Sequence, residues 1–357
     1  MRLRVLDFGF VPPYRSQAVY HGVAETVNIG DEPVLTLVNP LDPYVCVGLH
    51  QEVALEVDEA YCRERNLPII RRHVGGGAVY LDRDQMFFHF IFPRDQVPRV
   101  VTELYPMFIE PVTRTYQALG INAEFRPVND IHVNGRKIGG TGAASIDDAT
   151  VMVGSFMFDF DVASMAKCLR VPSEKFRDKL RQGMDDYMST MTKELDELPS
   201  RDEVKRLFMD NIAATLNVTP EEDEPSDAEL AAINQQEQEL AEPDWTYQVG
   251  RKFVEMGVKI AANTHLTESA HKAPGGLVRV QLLEKDNTIA DLVISGDFTC
   301  WPDTGPFDLA DALKGETLEP ESLTQAVTRH MEALQLQIPG VGAEDIVAAI
   351  QAAIHRE

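Results

Sequence analysis

The residues best suited to chemistry lie in two glycine-bearing stretches. Arg71-Arg72-His73-Val74-Gly75-Gly76-Gly77-Ala78-Val79-Tyr80-Leu81-Asp82 sets two guanidinium groups before three consecutive glycines and a short β-prone run. Residues without a Cβ let the backbone turn sharply and approach a ligand closely. The amides so presented can face an anion, while Arg71 or Arg72 offers charge and forked donors to phosphate or carboxylate. A plainer reading of the same residues is a glycine-rich hairpin turn carrying two solvated arginines. The second stretch, Asn129-Asp130-Ile131-His132-Val133-Asn134-Gly135-Arg136-Lys137-Ile138-Gly139-Gly140-Thr141-Gly142, reads as strand, Asn-Gly turn, strand. Lys137 falls just past the turn, ahead of glycines that allow close approach of a ligand; the plainer reading is a solvated edge lysine. Asp130 reads as a carboxylate open to a ligand or as a simple turn aspartate.

Taken in order, these motifs resemble the lipoate-protein ligase A family. Its paired signature is similar to Arg71-Arg72 with Gly75-Gly76-Gly77-Ala78-Val79-Tyr80, followed by Asn129-Asp130-Ile131 and then Lys137-Ile138 with Gly139. The likeness extends upstream through Pro43-Tyr44-Val45-Cys46-Val47-Gly48-Leu49-His50-Gln51 and downstream to Leu169-Arg170-Val171-Pro172-Ser173-Glu174-Lys175. Pro274-Gly275-Gly276-Leu277-Val278-Arg279-Val280 and Ile294-Ser295-Gly296-Asp297-Phe298 are similar to the accessory domain that follows many of these ligases. His73-Val74 departs from the pattern, which usually has a serine before the first glycine.

The resemblance implies a two-step reaction. Lipoate is joined to AMP from ATP with loss of pyrophosphate, and the acyl group then passes to a lysine of a lipoyl-domain acceptor protein. It implies Lys137 as the catalytic residue, offsetting negative charge. Arg72, Gly75, Gly76, Gly77, Ala78, Val79, Tyr80, Asn129, Asp130, Lys137 and Gly139 are the implied binding residues for ATP and lipoate, with Asp130 as a ligand of Mg2+. An octanoyl or lipoyl transferase of the same fold would need a cysteine nucleophile and, in such relatives, an arginine for the third glycine. Here Gly77 is glycine and 141–156 contains no cysteine. A biotin ligase would carry a Gly-Arg-Gly-Arg-x-Gly-Arg loop, which is absent. A non-catalytic lipoate-binding module remains a reading from a different class.

These groups need a scaffold. At 357 residues and 44% hydrophobic composition, the chain can bury cores in two domains. Strand and helix signals intermix without a βαβ rhythm. The expected class is therefore α+β, with mixed, largely antiparallel sheets and flanking helices. The resemblance makes this a biotin/lipoate ligase-like catalytic domain with a small α+β accessory domain. Boundaries are expected at 1–218 for the catalytic domain, 219–244 for an acidic, solvated linker, and 245–357 for the accessory domain. Val53–Arg65 reads as one amphipathic helix, Phe87–Pro93 as a core strand, and Val100–Leu119 as a helix closed by Gly120. Asp286-Asn287 reads as a hairpin turn, and His265 and His271 as bracketing another.

A net charge of −24 argues against nucleic acid as a partner. No apolar run suits a membrane span, and the start lacks a signal-peptide pattern. Four scattered cysteines, Cys46, Cys62, Cys168 and Cys300, fit a reducing cytoplasm, and a monomer is expected. Lipoyl domains are often acidic, so a local basic face at Arg170, Lys175, Arg177 and Lys179 is expected to offset the chain's own charge.

Overall fold

The computed structural model describes residues 1–249, 259–261 and 264–354, with the side chains of 259–261 excepted. These fall into two units that are not successive segments. The first holds Met1–Cys46, Val57–Arg72 and Val79–Glu242; the second holds Val47–Glu56, His73–Ala78 and Pro243–Glu357.

The first unit is built on β1 (Arg2–Val11), β2 (Val34–Pro40), β6 (Gln85–Pro93), β7 (Glu124–Arg126), β8 (Asp130–Val133), β9 (Arg136–Ile146), β10 (Ala149–Met157) and β11 (Thr219–Glu222). They form one sheet in the order β11-β1-β2-β6-β10-β9-β8-β7. Pairing is antiparallel from β2 to β7, whereas β1 lies parallel to both β2 and β11. A separate sheet joins β4 (Ile69–Arg71), β3 (Tyr44–Val47) and β5 (Val79–Leu81) in that order.

Every residue of β6 is buried, and its side chains alternate between faces. Phe88, Phe90 and Phe92 point one way, into rings from Phe108 of α4 (Val101–Ala118), Phe156 of β10 and Phe208 of α8 (Arg201–Leu216). Phe87 and His89 point the other way, and His89 meets Tyr20 of α1 (Pro13–Glu25). Burial pushes His89 down to about 3, so it sits neutral, its Nδ1 2.7 Å from the Thr36 hydroxyl. Helices thus cover both faces of the sheet.

Two expectations change here. Of the stretch 219–244, expected as a solvated linker, residues 219–242 belong to the first unit and 243–244 to the second. β11 extends the sheet, and α9 (Asp227–Ala241), opened by a Ser226–Glu229 capping box, packs along α1. At Gly22 any side chain would strike the backbone of Ile233, so the two helices touch through glycine. The acidic residues serve this packing: Arg4 donates to Asp223 and to the buried Glu229, both at 2.8 Å. The expected helix Val53–Arg65 is two pieces, α2 (Val53–Glu56) and α3 (Glu59–Glu64). Between them Val57 bridges to Leu169, and Asp58 caps α3 by accepting the Tyr61 N–H at 3.0 Å. The first unit is completed by α5 (Val162–Cys168), α6 (Glu174–Tyr187) and α7 (Met191–Glu194).

The second unit carries α2, α10 (Pro243–Thr246) and an antiparallel sheet of β12 (Lys259–Ala261), β13 (Thr264–Ala273), β14 (Gly276–Lys285) and β15 (Thr288–Gly296). Helices α11 (Gly305–Ala312), α12 (Pro320–Ala333) and α13 (Ala343–Ala353) share a core with Val278, Val280, Leu292 and Ile294. Asp286 and Asn287 take φ values of 49° and 60°, as a tight hairpin demands. His265 and His271 do not bracket a turn: both lie in β13, and His271 pairs with Asp345 of α13 at 3.0 Å. Ion pair Arg279–Glu56 and the Gln281–Glu52 hydrogen bond, both 2.9 Å, tether α2 to β14.

Arg4 generates a test. Replacing it by methionine leaves the Glu229 carboxylate buried without its cation and should lower the unfolding free energy by about 3 kcal/mol near neutral pH. Asp223 is held down to about 2, chiefly by Arg4; burial would raise Glu229, but Arg4 and Ser226 hold it below its ordinary value. Both folded values lie below the unfolded ones, so this stabilisation is complete above the ordinary carboxylate range and is lost as pH falls toward 2. Urea denaturation should therefore show the deficit of the variant shrinking between neutral pH and about pH 3. A constant deficit would place the effect elsewhere.

Candidate functional site

The β8–β9 hairpin shows why its sequence was informative. Asn134 and Gly135 take φ values of 52° and 76°, the left-handed pair that a two-residue turn requires. Past the turn the register slips: His132 pairs with Lys137 but Ile131 with Gly139, so Ile138 is an extra residue. Its carbonyl accepts the Tyr116 hydroxyl at 3.2 Å, and the Lys137 carbonyl accepts the Ser189 N–H at 2.7 Å. The backbone at Lys137 is thereby fixed from both sides.

The Lys137 amine lies 2.7 Å from Asp130 Oδ1, with both side chains partly exposed at 28% and 21%. Gly140 stands opposite Asp130, and a Cβ there would lie 3.0 Å from both Cε and Nζ of Lys137. The lysine folds over the space that Gly140 leaves; Gly139 has only ordinary contacts with Ile131 and Ser155. Asn129 closes the hairpin base, donating to the Thr141 carbonyl at 2.6 Å and accepting the Thr141 N–H at 2.9 Å. Two residues that sequence reasoning missed complete this cluster. His132, 1% exposed, has Nε2 3.6 Å from Asp130 Oδ2, and Tyr187 of α6 has its hydroxyl 3.5 Å from the same oxygen. Their signal was available only for His132, which is two residues from Asp130 on a strand and so shares its face.

Val79 and Tyr80 belong to the small sheet of the same unit, and Arg72 directly follows its strand β4. Arg71 is fully buried at the end of β4 rather than solvated. Arg72 Nη1 lies 3.4 Å from the Cys46 carbonyl and 3.7 Å from its Sγ. Burial pushes the Cys46 thiol up, with Arg72 pulling the other way. Val79 pairs with Cys46 and Tyr80 with Val45. Tyr80 is buried, its N–H donates to Met165 Sδ at 3.1 Å, and burial followed by Asp82 pushes its hydroxyl up to about 12.

Gly75, Gly76, Gly77 and Ala78 fall in the second unit, where the first two have packing tasks. Gly76, at φ 97°, donates its N–H to the Phe298 carbonyl at 3.0 Å. A Cβ on Gly75 would strike the backbone of Phe298 and Thr299, and one on Gly48 the carbonyl of Gly76. Around Gly77 the nearest atom to a Cβ would be the Asp297 Cβ at 3.8 Å, and Ala78 is half-buried. His73, at the unusual position, meets the Trp245 ring at a tilt of 33° with centroids 4.3 Å apart.

The expected basic face is reduced. Arg177 donates to the carbonyls of Ala166, Lys167 and Leu169 at 2.8, 2.9 and 3.1 Å and to Asp58 at 3.1 Å. It caps the C-terminus of α5 and is mostly buried, so its charge is spent inside the unit. Among the described residues no group of three or more histidine, cysteine or acidic side chains is arranged to hold a metal, and no helix is long and apolar enough to cross a membrane. All four cysteines are buried thiols.

Residues 12–213 match the family model of the lipoyl protein ligase A/B catalytic domain. The chain is 28% identical to lipoate-protein ligase LplJ of Bacillus subtilis, over 72% of this chain and 73% of that protein. It is 23% identical to octanoyltransferase LipM of Halalkalibacterium halodurans, over 57% of this chain and 83% of that one. Among solved structures, a bi-partite lipoate protein ligase of Thermoplasma acidophilum, studied with its E2 lipoyl domain, superposes with a TM-score of 0.63 at 25% identity, over 71% of this chain and 98% of that chain. A lipoate-protein ligase A bound with ATP has the same fold, with a TM-score of 0.61 at 23% identity over 69% and 99%.

The three glycines should respond differently to alanine. Gly75→Ala meets backbone that cannot yield and should cost about 2 kcal/mol; Gly76→Ala should cost about 1 kcal/mol for its left-handed φ. Gly77→Ala should stay within about 0.5 kcal/mol of the parent. Denaturation of the three variants ranks them; equal losses would show that the segment is not packed as described.

Proposed function

The chain belongs to the lipoyl protein ligase A/B catalytic domain family, and from that premise we propose that it is an ATP-dependent lipoate–protein ligase. The carrying observation is the Lys137 amine held 2.7 Å from Asp130 on a partly exposed, backbone-fixed bulge. In this reading the lipoate carboxylate attacks the α-phosphorus of ATP, forming an acyl–phosphate bond while pyrophosphate leaves. A lysine amine of the acceptor then attacks the acyl carbon, losing a proton, and AMP leaves. Both steps concentrate negative charge at phosphate oxygens, which a fixed ammonium stabilises more in the transition state than in the ground state.

Lys137 is the catalytic residue of this proposal. Arg72, Val79, Tyr80, Asn129, Asp130 and Gly139 of the first unit are proposed as binding residues, as are Gly75, Gly76, Gly77 and Ala78 of the second. Among them Asn129 and Gly76 contribute by shaping backbone, since their polar groups already bond Thr141 and Phe298. A nucleotide-borne Mg2+ asks little of a protein beyond one carboxylate, and Asp130 supplies one; such an ion adds charge neutralisation at the phosphates. Residues 245–357 are read as an accessory domain, and the acceptor as a lipoyl domain like that studied with the Thermoplasma acidophilum ligase.

The second reading is the acyl transferase, favoured by the LipM relative. It requires a reachable thiolate. All four cysteines are buried, at 1% exposure or less; burial pushes the Cys46 and Cys300 thiols up, while Cys62 is pulled down by its hydrogen bond with Cys168 yet is equally out of reach. Those environments favour the ligase.

The test is lipoate-dependent ATP–pyrophosphate exchange, followed by mass gain on an acceptor lipoyl domain. Lys137→Ala should lower exchange roughly a hundredfold with the fold intact. Replacing all four cysteines by alanine should leave exchange and transfer near the parent level. Undiminished exchange in Lys137→Ala defeats the assignment, and loss of transfer from Cys46→Ala in a folded protein would favour the transferase.

A further inference from the structure

We infer that His132 and Tyr187 are positioning residues for Lys137, acting through the far oxygen of Asp130; the inference rests on the ligase reading above. One oxygen of Asp130 holds the Lys137 amine at 2.7 Å. The other lies 3.6 Å from His132 Nε2 and 3.5 Å from the Tyr187 hydroxyl, which are themselves 3.5 Å apart. Three polar atoms therefore face one another on the side of the carboxylate away from the lysine.

The direction of these contacts follows from Arg126. Its Nη1 lies 3.4 Å from His132 Nδ1. A guanidinium only donates, so Nδ1 is an acceptor and the ring proton sits on Nε2, aimed at Asp130. A phenol hydroxyl has one proton to give and a carboxylate oxygen only accepts, so Tyr187 donates as well. At 3.5 to 3.6 Å these donors are too long to anchor the carboxylate but favour one rotation of it. The His132 ring is buried and meets the Tyr187 ring edge-on, with centroids 5.7 Å apart at 75°, so it has little room to swing.

The arrangement has a use. A lysine has four rotatable side-chain bonds and loses much entropy when fixed. Here the stem lies over Gly140 and the amine against an oriented carboxylate, so its position is set before any substrate arrives. Tyr187 comes from the end of α6, a helix with no buried side chain, and the next residues continue the hold: Met188 bridges to Lys137, and the Ser189 N–H donates to its carbonyl. The position of α6 is thus transmitted to the amine.

The experiment uses the full chain with two readouts. The first is the rate at which an amine-reactive reagent labels Lys137 without substrate, mapped by peptide mass spectrometry. The second is kcat and KM for ATP in lipoate-dependent pyrophosphate release. Tyr187→Phe and His132→Phe should each speed labelling in the direction of Asp130→Asn, by about two- to fivefold, the range of a partly exposed ion pair. Both should lower kcat about tenfold with KM for ATP little changed. His132→Gln, which keeps a donor near Nε2, should return both readouts toward the parent. Tyr187→Phe removes one oxygen from a half-exposed ring, so misfolding cannot account for its effect. Parent-like labelling and kcat in both phenylalanine variants, with Asp130→Asn labelling faster, overturns the inference, as does a glutamine variant no better than phenylalanine. If the parent releases no pyrophosphate with lipoate yet labelling follows the expected order, the positioning stands and the ligase reading falls.

Discussion

The two-sided burial of β6 is the constraint from which the rest of the first unit follows. A strand whose every side chain is out of water must be covered on both faces, and its alternation decides what does the covering. Phe88, Phe90 and Phe92 draw in α4 and α8; His89, with Phe87 beside it, meets α1. A slip of one residue would send three phenylalanines to the wrong face, so the register is strongly specified. β10 pairs with β6 along its whole length, β9 with β10, and β8 with β9. The place of Lys137 is inherited through that ladder from an aromatic strand two places along the sheet.

At the end of the ladder the pairing is irregular, and the irregularity is useful. The extra residue at Ile138 breaks the alternation, so Lys137 leans across to a carboxylate on the neighbouring strand instead of standing clear. The two glycines after it are not equivalent: Gly140 leaves room for the lysine stem, whereas a side chain at Gly139 would meet only ordinary contacts. The triple glycine likewise divides, with Gly75 and Gly76 held by Phe298 and Thr299 and Gly77 in open surroundings.

The sequence made much of this legible because the local rules are strong. The Asn134-Gly135 turn, the aromatic run 87–93 and the hairpin at Asp286-Asn287 each have one cheap conformation. What stayed hidden depended on distant partners. The run 219–244 looked solvated because its charges are acidic and dense, yet Arg4, more than two hundred residues earlier, and the groove along α1 give its residues up to 242 somewhere to pack. The helix over 53–65 had good periodicity but lost to a bridge between Val57 and Leu169. Arg177 looked like part of a basic surface until the carbonyls of α5 claimed it. His132 and Tyr187 could not be joined from sequence, since 55 positions separate them.

The parallel pairing of β1 with β11 has a consequence for how the chain is made. Arg2 pairs with Thr219 and Val5 with Glu222, so β1 is made long before the partner that it waits for near the end of the unit. At ordinary elongation rates of about 5–20 residues per second, that wait is roughly ten to forty seconds. Through it one side of β1 is an unpaired strand edge, the kind that recruits other nascent chains. Arg2 and Arg4, which later receive Asp223, Glu221 and Glu229, stand on that edge from the start. Charged side chains on such an edge disfavour its pairing with another chain.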